Sequence, residues 1–508
     1  MRSFLTFDAG TTSMKTTLVG ERGEILGSAT QEYQLVTPDT TTAELDAEVY
    51  WETAAAGARK AIAEARLRGV GAEEIAAIAI SSQGETLIST DREGRALRRA
   101  IVWVDNRSIE EAREIEGHFG LDHVFRVTGQ PSVVPTWPAT KILWLARHEP
   151  EVFRKTATFS IVEDFLIHKL TGQWVGERSV HSSSLWMDIN SGELWPEMLA
   201  FLGIGPEHLA RITGSGEIVG EVKGSVAKEL GISPETLVVT GALDQPAGAV
   251  GAGNIAPGIC TETTGAALAA VITLDDPVWD PGKRLPCHMH GLPGKKYFLM
   301  PWGQTAGLVL KWFRDTFRME LVGRADSYEA LTEEAAQAPA GCEGLVCLPH
   351  LTGAASPEFD PYARGVFFGV SLKHTRGHFV RAIMESVAFM LRKNLELLPG
   401  LGIEVTEVRA LGGGAKSALW NQIKADVTGK SVLTVRSSET ACLGAAMLAA
   451  VATGVYRDLA EATEAMVALK ERFEPSREAA GAYERNYEIY KKLHEALFEL
   501  FRGGEGKE

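Results

Sequence analysis

Two aspartates, Asp8 and Asp244, each sit where an apolar run gives way to a turn of small residues. Asp8 follows Phe4-Leu5-Thr6-Phe7 and opens Ala9-Gly10-Thr11-Thr12-Ser13. Asp244 follows Leu237-Val238-Val239-Thr240 and opens Gln245-Pro246-Ala247-Gly248. A carboxylate beside such a turn can hold Mg2+ through water while the backbone N–H groups converge on phosphate oxygens. The same aspartate also serves as an ordinary turn cap. Asp244 can accept the proton of an attacking hydroxyl while Gln245 hydrogen-bonds the molecule that carries it. In a loose phosphoryl-transfer transition state such a base chiefly orients its nucleophile. An aspartate ahead of Gln-Pro equally fits a helix N-terminus.

Two further segments could face phosphate. Thr261-Glu262-Thr263-Thr264-Gly265-Ala266 is a second Thr/Gly turn between strand-like runs. Gly412-Gly413-Gly414-Ala415-Lys416-Ser417 lies between a strand and a helix, where missing side chains let a ligand approach the backbone. No Walker A sequence, protein-kinase loop or dinucleotide fingerprint appears in context. Cys287-His288-Met289-His290 lacks a second ligand pair at finger-like spacing and reads as loop or strand.

The elements that position these groups follow an α/β pattern. Strand signals at residues 4–7, 14–19, 24–29 and 75–80 surround a helical signal at 49–67, and a strand pair spans 258–272. Further strands are expected at 344–348 and 405–411, and helices at 379–398, 418–428 and 477–501. In the helix at 379–398, Phe379, Ile383, Val387, Met390 and Leu395 fall on one face. Residues 503–508 read as a frayed tail. At 508 residues the chain exceeds the about 250–300 at which one core stops growing, so two domains are expected. A net charge of −15 disfavours nucleic acid and anionic membranes as partners. The absence of a long apolar run or signal-like start points to the cytoplasm. Five scattered cysteines read as reduced thiols.

With these pieces in place, the order of motifs resembles the FGGY family of carbohydrate kinases along nearly the whole chain. The matching stretches are Asp8 through Ser13 with Lys15, Ala100-Ile101-Val102-Trp103 with Asp105 and Arg107, residues 241–253 around Asp244, and Ala410-Leu411-Gly412-Gly413-Gly414-Ala415. Residues 138–148 and 365–385 fit the family's two longer signatures. The resemblance implies two ribonuclease H-like (actin-like ATPase) domains, residues 1–250 and 251–508, flanking a cleft that takes ATP, Mg2+ and a small sugar or polyol, with a homodimer as the assembly. It assigns Asp244 as base and Asp8 to the Mg2+ side. Thr11, Thr12, Ser13 and Lys15 fall to the first phosphate loop, Thr264 and Gly265 to the second, and Gly412, Gly413, Gly414 and Ala415 to the adenosine. Gln83, Gly84, Glu85, Trp103, Asp105 and Gln245 form the expected substrate set.

The sequence also departs from the family's patterns. The second phosphate turn commonly reads Gly-Thr-Ser, whereas here Gly265 precedes Ala266-Ala267. Where xylulose kinases carry Gln-Met-His-Gly, this chain has Gln83-Gly84-Glu85-Thr86. Glycerol kinases share Glu85 and Gln245 but have arginine in place of Gly84. A carboxylate and an amide suit vicinal hydroxyls. Trp103 can cover an apolar sugar face or simply belong to the core. A ketopentose such as xylulose is the expected acceptor, glycerol or another polyol the alternative, and an actin-like ATPase without a small acceptor the alternative of another class.

Overall fold

The computed structural model describes residues 2–282 and 284–503. Residues 504–508 of the expected tail lie outside the described residues.

Near-continuous apolar runs make strands that are covered on both faces, as parallel neighbours require. The first sheet contains β1 (Ser3–Ala9), β2 (Ser13–Gly20), β3 (Ile25–Glu32), β4 (Ile75–Ser82), β5 (Ile218–Glu221) and β6 (Leu237–Leu243) in the order β5-β6-β4-β1-β2-β3. β1, β4 and β6 run parallel, while β2, β3 and β5 are antiparallel to their neighbours.

The second sheet repeats this plan. It contains β7 (Ile259–Thr264), β8 (Leu268–Leu274), β9 (Cys287–Met289), β10 (Tyr297–Leu299), β11 (Trp302–Gly303), β12 (Glu407–Gly412), β13 (Ser431–Val435) and β14 (Leu469–Phe473). Their order is β9-β10-β8-β7-β12-β13-β14, with β11 on β8. β7, β12 and β13 are parallel, flanked by antiparallel strands on both sides. Two sheets of one topology in succession are the two ribonuclease H-like units expected of the chain.

The helices that matter to the site are α1 (Glu48–Leu67), α2 (Pro138–His148), α3 (Val162–Thr171), α4 (Arg178–His181), α5 (Asp244–Gly251), α6 (Arg376–Leu395), α7 (Ala418–Thr428), α8 (Thr440–Ala452) and α9 (Arg477–Arg502). α8 lies in sequence between β13 and β14 of the second sheet yet packs on the first. Leu443, Ala446 and Met447 share a core cluster with Phe4 of β1, Ala77 of β4 and Val239 of β6. α8 also crosses α5 almost backbone to backbone. A Cβ on Gly251 would lie 1.9 Å from the Thr440 carbonyl oxygen, and one on Gly444 would lie 1.9 Å from that of Ala247. Any larger residue would force apart the helix that carries Asp244 and the helix between β13 and β14.

Two expectations change in the structure. The helix expected at 379–398 spans Arg376–Leu395, and Val380 through Met390 are buried without a break, so it lies inside the core rather than presenting one apolar face. The strand expected at 344–348 is confined to Val346–Leu348, because Cys342–Gly344 turns as a 3-10 segment with positive φ at each of its residues. All five cysteines are free and buried, and the described residues hold no cluster of His, Cys, Asp and Glu suited to a metal. Among the described residues no helix is long and apolar enough to cross a membrane.

Candidate active site

Three neighbouring parallel strands end together. β1 aligns Asp8 with Ser81 and Ala9 with Ser82 of β4, and β6 aligns Leu243 with the same Ser82. Asp8, Gln83 and Asp244 therefore emerge side by side at the carboxyl ends of the strands, where open α/β sheets bind their ligands. The second sheet does likewise: β7 ends at Thr264 directly opposite Gly412 of β12. The two candidate phosphate turns and the glycine run thus lie at equivalent ends of equivalent sheets.

Asp244 is the first residue of α5 rather than its N-cap, and its Oδ1 accepts the N–H of Gln245 at 2.7 Å. Burial, reinforced by the charges of Asp8 and Glu85, pushes its carboxyl up to about 7 in spite of that hydrogen bond. A carboxylate balanced near neutrality is matched to accepting a proton there. Asp8 takes a hydrogen bond from the Ser81 hydroxyl at 3.0 Å, and burial still holds it above the ordinary carboxylate range against the pull of Ser81 and Lys15. Lys15 itself pairs with Glu439 at 3.0 Å, joining the first hairpin to the start of α8.

Glu85 stands at a positive φ of 57°, in the left-handed region that non-glycine residues seldom adopt. Burial raises its carboxyl, with Ser183 and Lys141 drawing it down. Lys141 is fully buried in α2 and donates to the carbonyls of Glu85 at 2.8 Å and Thr136 at 2.9 Å, and burial lowers it to about 7. It fastens the backbone of this turn. Gln83 donates through Nε2 to the Tyr50 hydroxyl at 2.9 Å, while its buried Oε1 has no protein partner. Gly84 is hemmed in, since a Cβ there would lie 3.1 Å from Leu243 and 3.3 Å from Ser183. Gln245 is half-buried beside Asp244.

Trp103 bridges the two ends of the site. Its indole N–H donates to the Thr11 hydroxyl at 2.8 Å, tying the segment before Asp105 to the first candidate phosphate turn. In that turn Thr12 is exposed, and Gly10 N–H donates to the Ser13 carbonyl at 2.9 Å. Asp105 requires a correction to the expected substrate set. It is completely buried, and its oxygens accept the N–H groups of Ala43 and Arg107 and the guanidinium of Arg107 at 2.7–3.0 Å. Its acceptor capacity is spent on holding its own loop.

The second candidate phosphate turn also differs from expectation. Thr264 is buried, and its hydroxyl donates to Glu262 while accepting from Lys424 of α7 at 3.0 Å. Lys424 reaches Glu262 at 2.6 Å, and both are wholly inaccessible. The Thr264 hydroxyl is thus committed inward, whereas Thr263, the next side chain along the opposite face of the strand, is half-buried. Gly265 is exposed, with its N–H donating to Ala267. Gly412, Gly413 and Ala415 remain at least partly exposed, but Gly414 is buried: a Cβ on it would lie 2.6 Å from that of Thr264. The glycine run is therefore required by the adjoining turn as well as available to a nucleotide.

Sequence reasoning missed Ser81, Lys141, Ser183, Glu262, Lys424 and Glu439. Lys141 left a signal, a lone lysine within Ala139-Thr140-Lys141-Ile142-Leu143. Cys287-His288-Met289-His290 is a buried strand end in which His288 lies against Phe298 and His290 bonds Thr273, and burial drives both imidazoles down to about 3.

Known proteins carry the same organisation. Models of the N-terminal and C-terminal domains of the FGGY family of carbohydrate kinases match residues 3–251 and 263–453. Xylulose kinase of Bacillus subtilis (strain 168) is 29% identical over 495 residues, covering 97% of both chains. Gluconokinase of the same strain is 30% identical over 500 residues, covering 97% of this chain and 96% of its own. The solved xylulose kinase from Rhodospirillum rubrum superposes with a TM-score of 0.89 at 28% identity, over 99% of this chain and 100% of that one. Full-length likeness to kinases of small carbohydrates leaves the acceptor-free ATPase without support. The chain belongs to the FGGY family of carbohydrate kinases, and it is a sugar kinase with that family's two-domain fold.

Proposed function

We propose that the protein transfers the γ-phosphoryl group of ATP to a hydroxyl of a neutral ketopentose such as xylulose, with Asp244 as the base. The observation that carries the reading is the meeting of Asp244, Asp8 and Gln83 at the ends of three adjacent strands, with Asp244 held near neutrality. Mg2+ bound with ATP would neutralise charge on the transferring group. Asp8 fits that role, because burial holds its carboxyl above the usual range and a nearby cation would relieve that penalty. The acceptor hydroxyl would give its proton to Asp244, and Gln83 Oε1, buried without a protein partner, would accept from a second hydroxyl. Glu85 and Gln245 would orient the remaining hydroxyls. Thr12, Ser13, Lys15, Thr263 and Gly265 would face the phosphates, and Gly412, Gly413 and Ala415 the adenosine.

The charge distribution argues against an aldonate acceptor. Asp8, Glu85 and Asp244 lie close enough to repel one another, Lys141 is buried and committed to two carbonyls, and Lys15 beside Asp8 is paired with Glu439. The division into a substrate-side unit of residues 1–250 and a nucleotide-side unit of 251–508, a cytoplasmic location and a homodimeric assembly belong to the same proposal.

Coupled measurement of ADP release over ketopentoses, ketohexoses, pentitols, glycerol and gluconate tests it. A ketopentose should give a kcat/KM at least tenfold above those of glycerol and gluconate. Preference for gluconate would overturn the neutral-acceptor reading, and preference for glycerol would move the acceptor to the polyols.

A further inference from the structure

The strand that delivers Asp244 does not reach it by a regular ladder. In β6, Val239 pairs with Ala79 of β4 but Ala242 pairs with Ser81, so Thr240 and Gly241 together stand opposite Ile80. This is a β-bulge, one extra residue that sets the strand end back by one position, about 3.3 Å along β4, and reverses the alternation of side chains beyond it. Gly241 is obligatory there, since a Cβ would lie 1.7 Å from the Ile80 carbonyl oxygen.

The bulge frees backbone donors, and two side chains from outside the sheet take them. Glu163 of α3 accepts the Gly241 N–H through Oε1 at 2.9 Å. The Ser179 hydroxyl in α4 accepts the Leu243 N–H at 2.9 Å and itself donates to Glu177. Glu177 also accepts from the Ser215 hydroxyl at 2.6 Å and from the Ser179 and Val180 N–H groups at 2.8 and 3.2 Å. Glu163, Glu177 and Ser179 are all completely buried. Two carboxyls in an apolar interior carry a desolvation penalty that a regular ladder would avoid. Here both serve the few residues immediately before Asp244.

We propose that Glu163 and Ser179, the latter fixed by Glu177, are positioning residues for phosphoryl transfer that hold the Thr240–Gly241 bulge and so set where Asp244 presents its carboxylate. The inference rests on the reading of Asp244 as the base. Glu163 acts as a hydrogen-bond acceptor and not as a charge: burial and the adjacent Glu177 raise its carboxyl well above the ordinary range, and its Oε2 has no partner. Glutamine should therefore replace it.

The test compares Glu163→Gln, Glu163→Leu, Ser179→Ala and Asp244→Asn for kcat and KM with the sugar acceptor, with ATP affinity measured by calorimetry. Misplacing a reacting group by about 1 Å can lower a rate 100-fold. Glu163→Leu should therefore lose about 100-fold in kcat and Ser179→Ala about tenfold, with acceptor KM and ATP Kd within about threefold of the parent. Glu163→Gln should stay within about threefold throughout. If Glu163→Leu does not fold, Ser179→Ala and Glu163→Gln carry the test. The proposal is overturned if the folded variants turn over within twofold of the parent, if Glu163→Gln fails as badly as Glu163→Leu, or if ATP affinity falls in parallel with kcat. An active Asp244→Asn protein would instead remove the base assignment, a separate failure.

Discussion

Replacing Asp244 by asparagine should make the protein inactive and, at the same time, more stable. The carboxyl sits near 7 in the folded protein against an ordinary value of 3.8, chiefly because burial and the charges of Asp8 and Glu85 disfavour the ionised form. An unfolded chain ionises this group near 3.8, so between about pH 4 and pH 7 the native state binds more protons than the unfolded one. Stability then falls as pH rises through that window. At about 1.4 kcal/mol per factor of ten in the proton equilibrium, the ceiling on the loss is ~4 kcal/mol, complete above pH 7. Asparagine keeps the Oδ1 that accepts the Gln245 N–H and carries no charge. Its stabilisation relative to the parent should thus grow by about 2 kcal/mol between pH 5.5 and pH 8. Urea unfolding of both proteins at matched salt across that range measures the difference. A variant no more stable than its parent at pH 8, or equally stabilised at both pH values, would refute the claim that the site stores unfavourable charge at Asp244.

Three other outcomes are expected. The kcat at saturating MgATP and sugar should depend on one deprotonation near pH 7 and fall about tenfold per pH unit well below it; a flat profile from pH 5.5 to 8 would remove Asp244 as base. Lys424→Met strands Glu262 without its partner in a dry interior and should cost about 3–5 kcal/mol in urea unfolding. Adding Glu262→Gln should recover most of that loss; a double variant as unstable as the single would contradict the pairing. Gly414→Ala puts a methyl 2.6 Å from Thr264 Cβ and should raise the KM for ATP about tenfold while leaving the acceptor KM unchanged, as initial-rate kinetics in both substrates would show.

Local patterns made much of this protein legible from its residues. The apolar runs of β1, β4, β6 and β7, the Thr/Gly turns that follow β1 and β7, and the glycines after β12 are encoded within a few positions of one another, because strand burial and turn geometry are local properties. The order of these motifs was enough to identify the family that the full-length comparisons establish.

What each polar group does was decided by the partners that the fold turns toward it, some two residues away and some far along the chain. Asp105 and Thr264 have residue types suited to ligands, yet Ala43 and Arg107 exhaust the first while Glu262 and Lys424, the latter 160 residues distant from Thr264, turn the second inward. The apolar spacing of α6 suggested one buried face, and packing on all sides buried the remainder. The early chain placed Asp8 and Asp244 236 positions apart without revealing that β4 lies between their strands, or that a bulge held by Glu163 sets the second. A hydrogen bond or charge is assigned by whatever the fold brings within about 3 Å, and strand pairing across 160 residues leaves no periodic mark in the sequence. The sequence by itself determined which groups could carry the chemistry; the tertiary structure decided which of them remain free to do it.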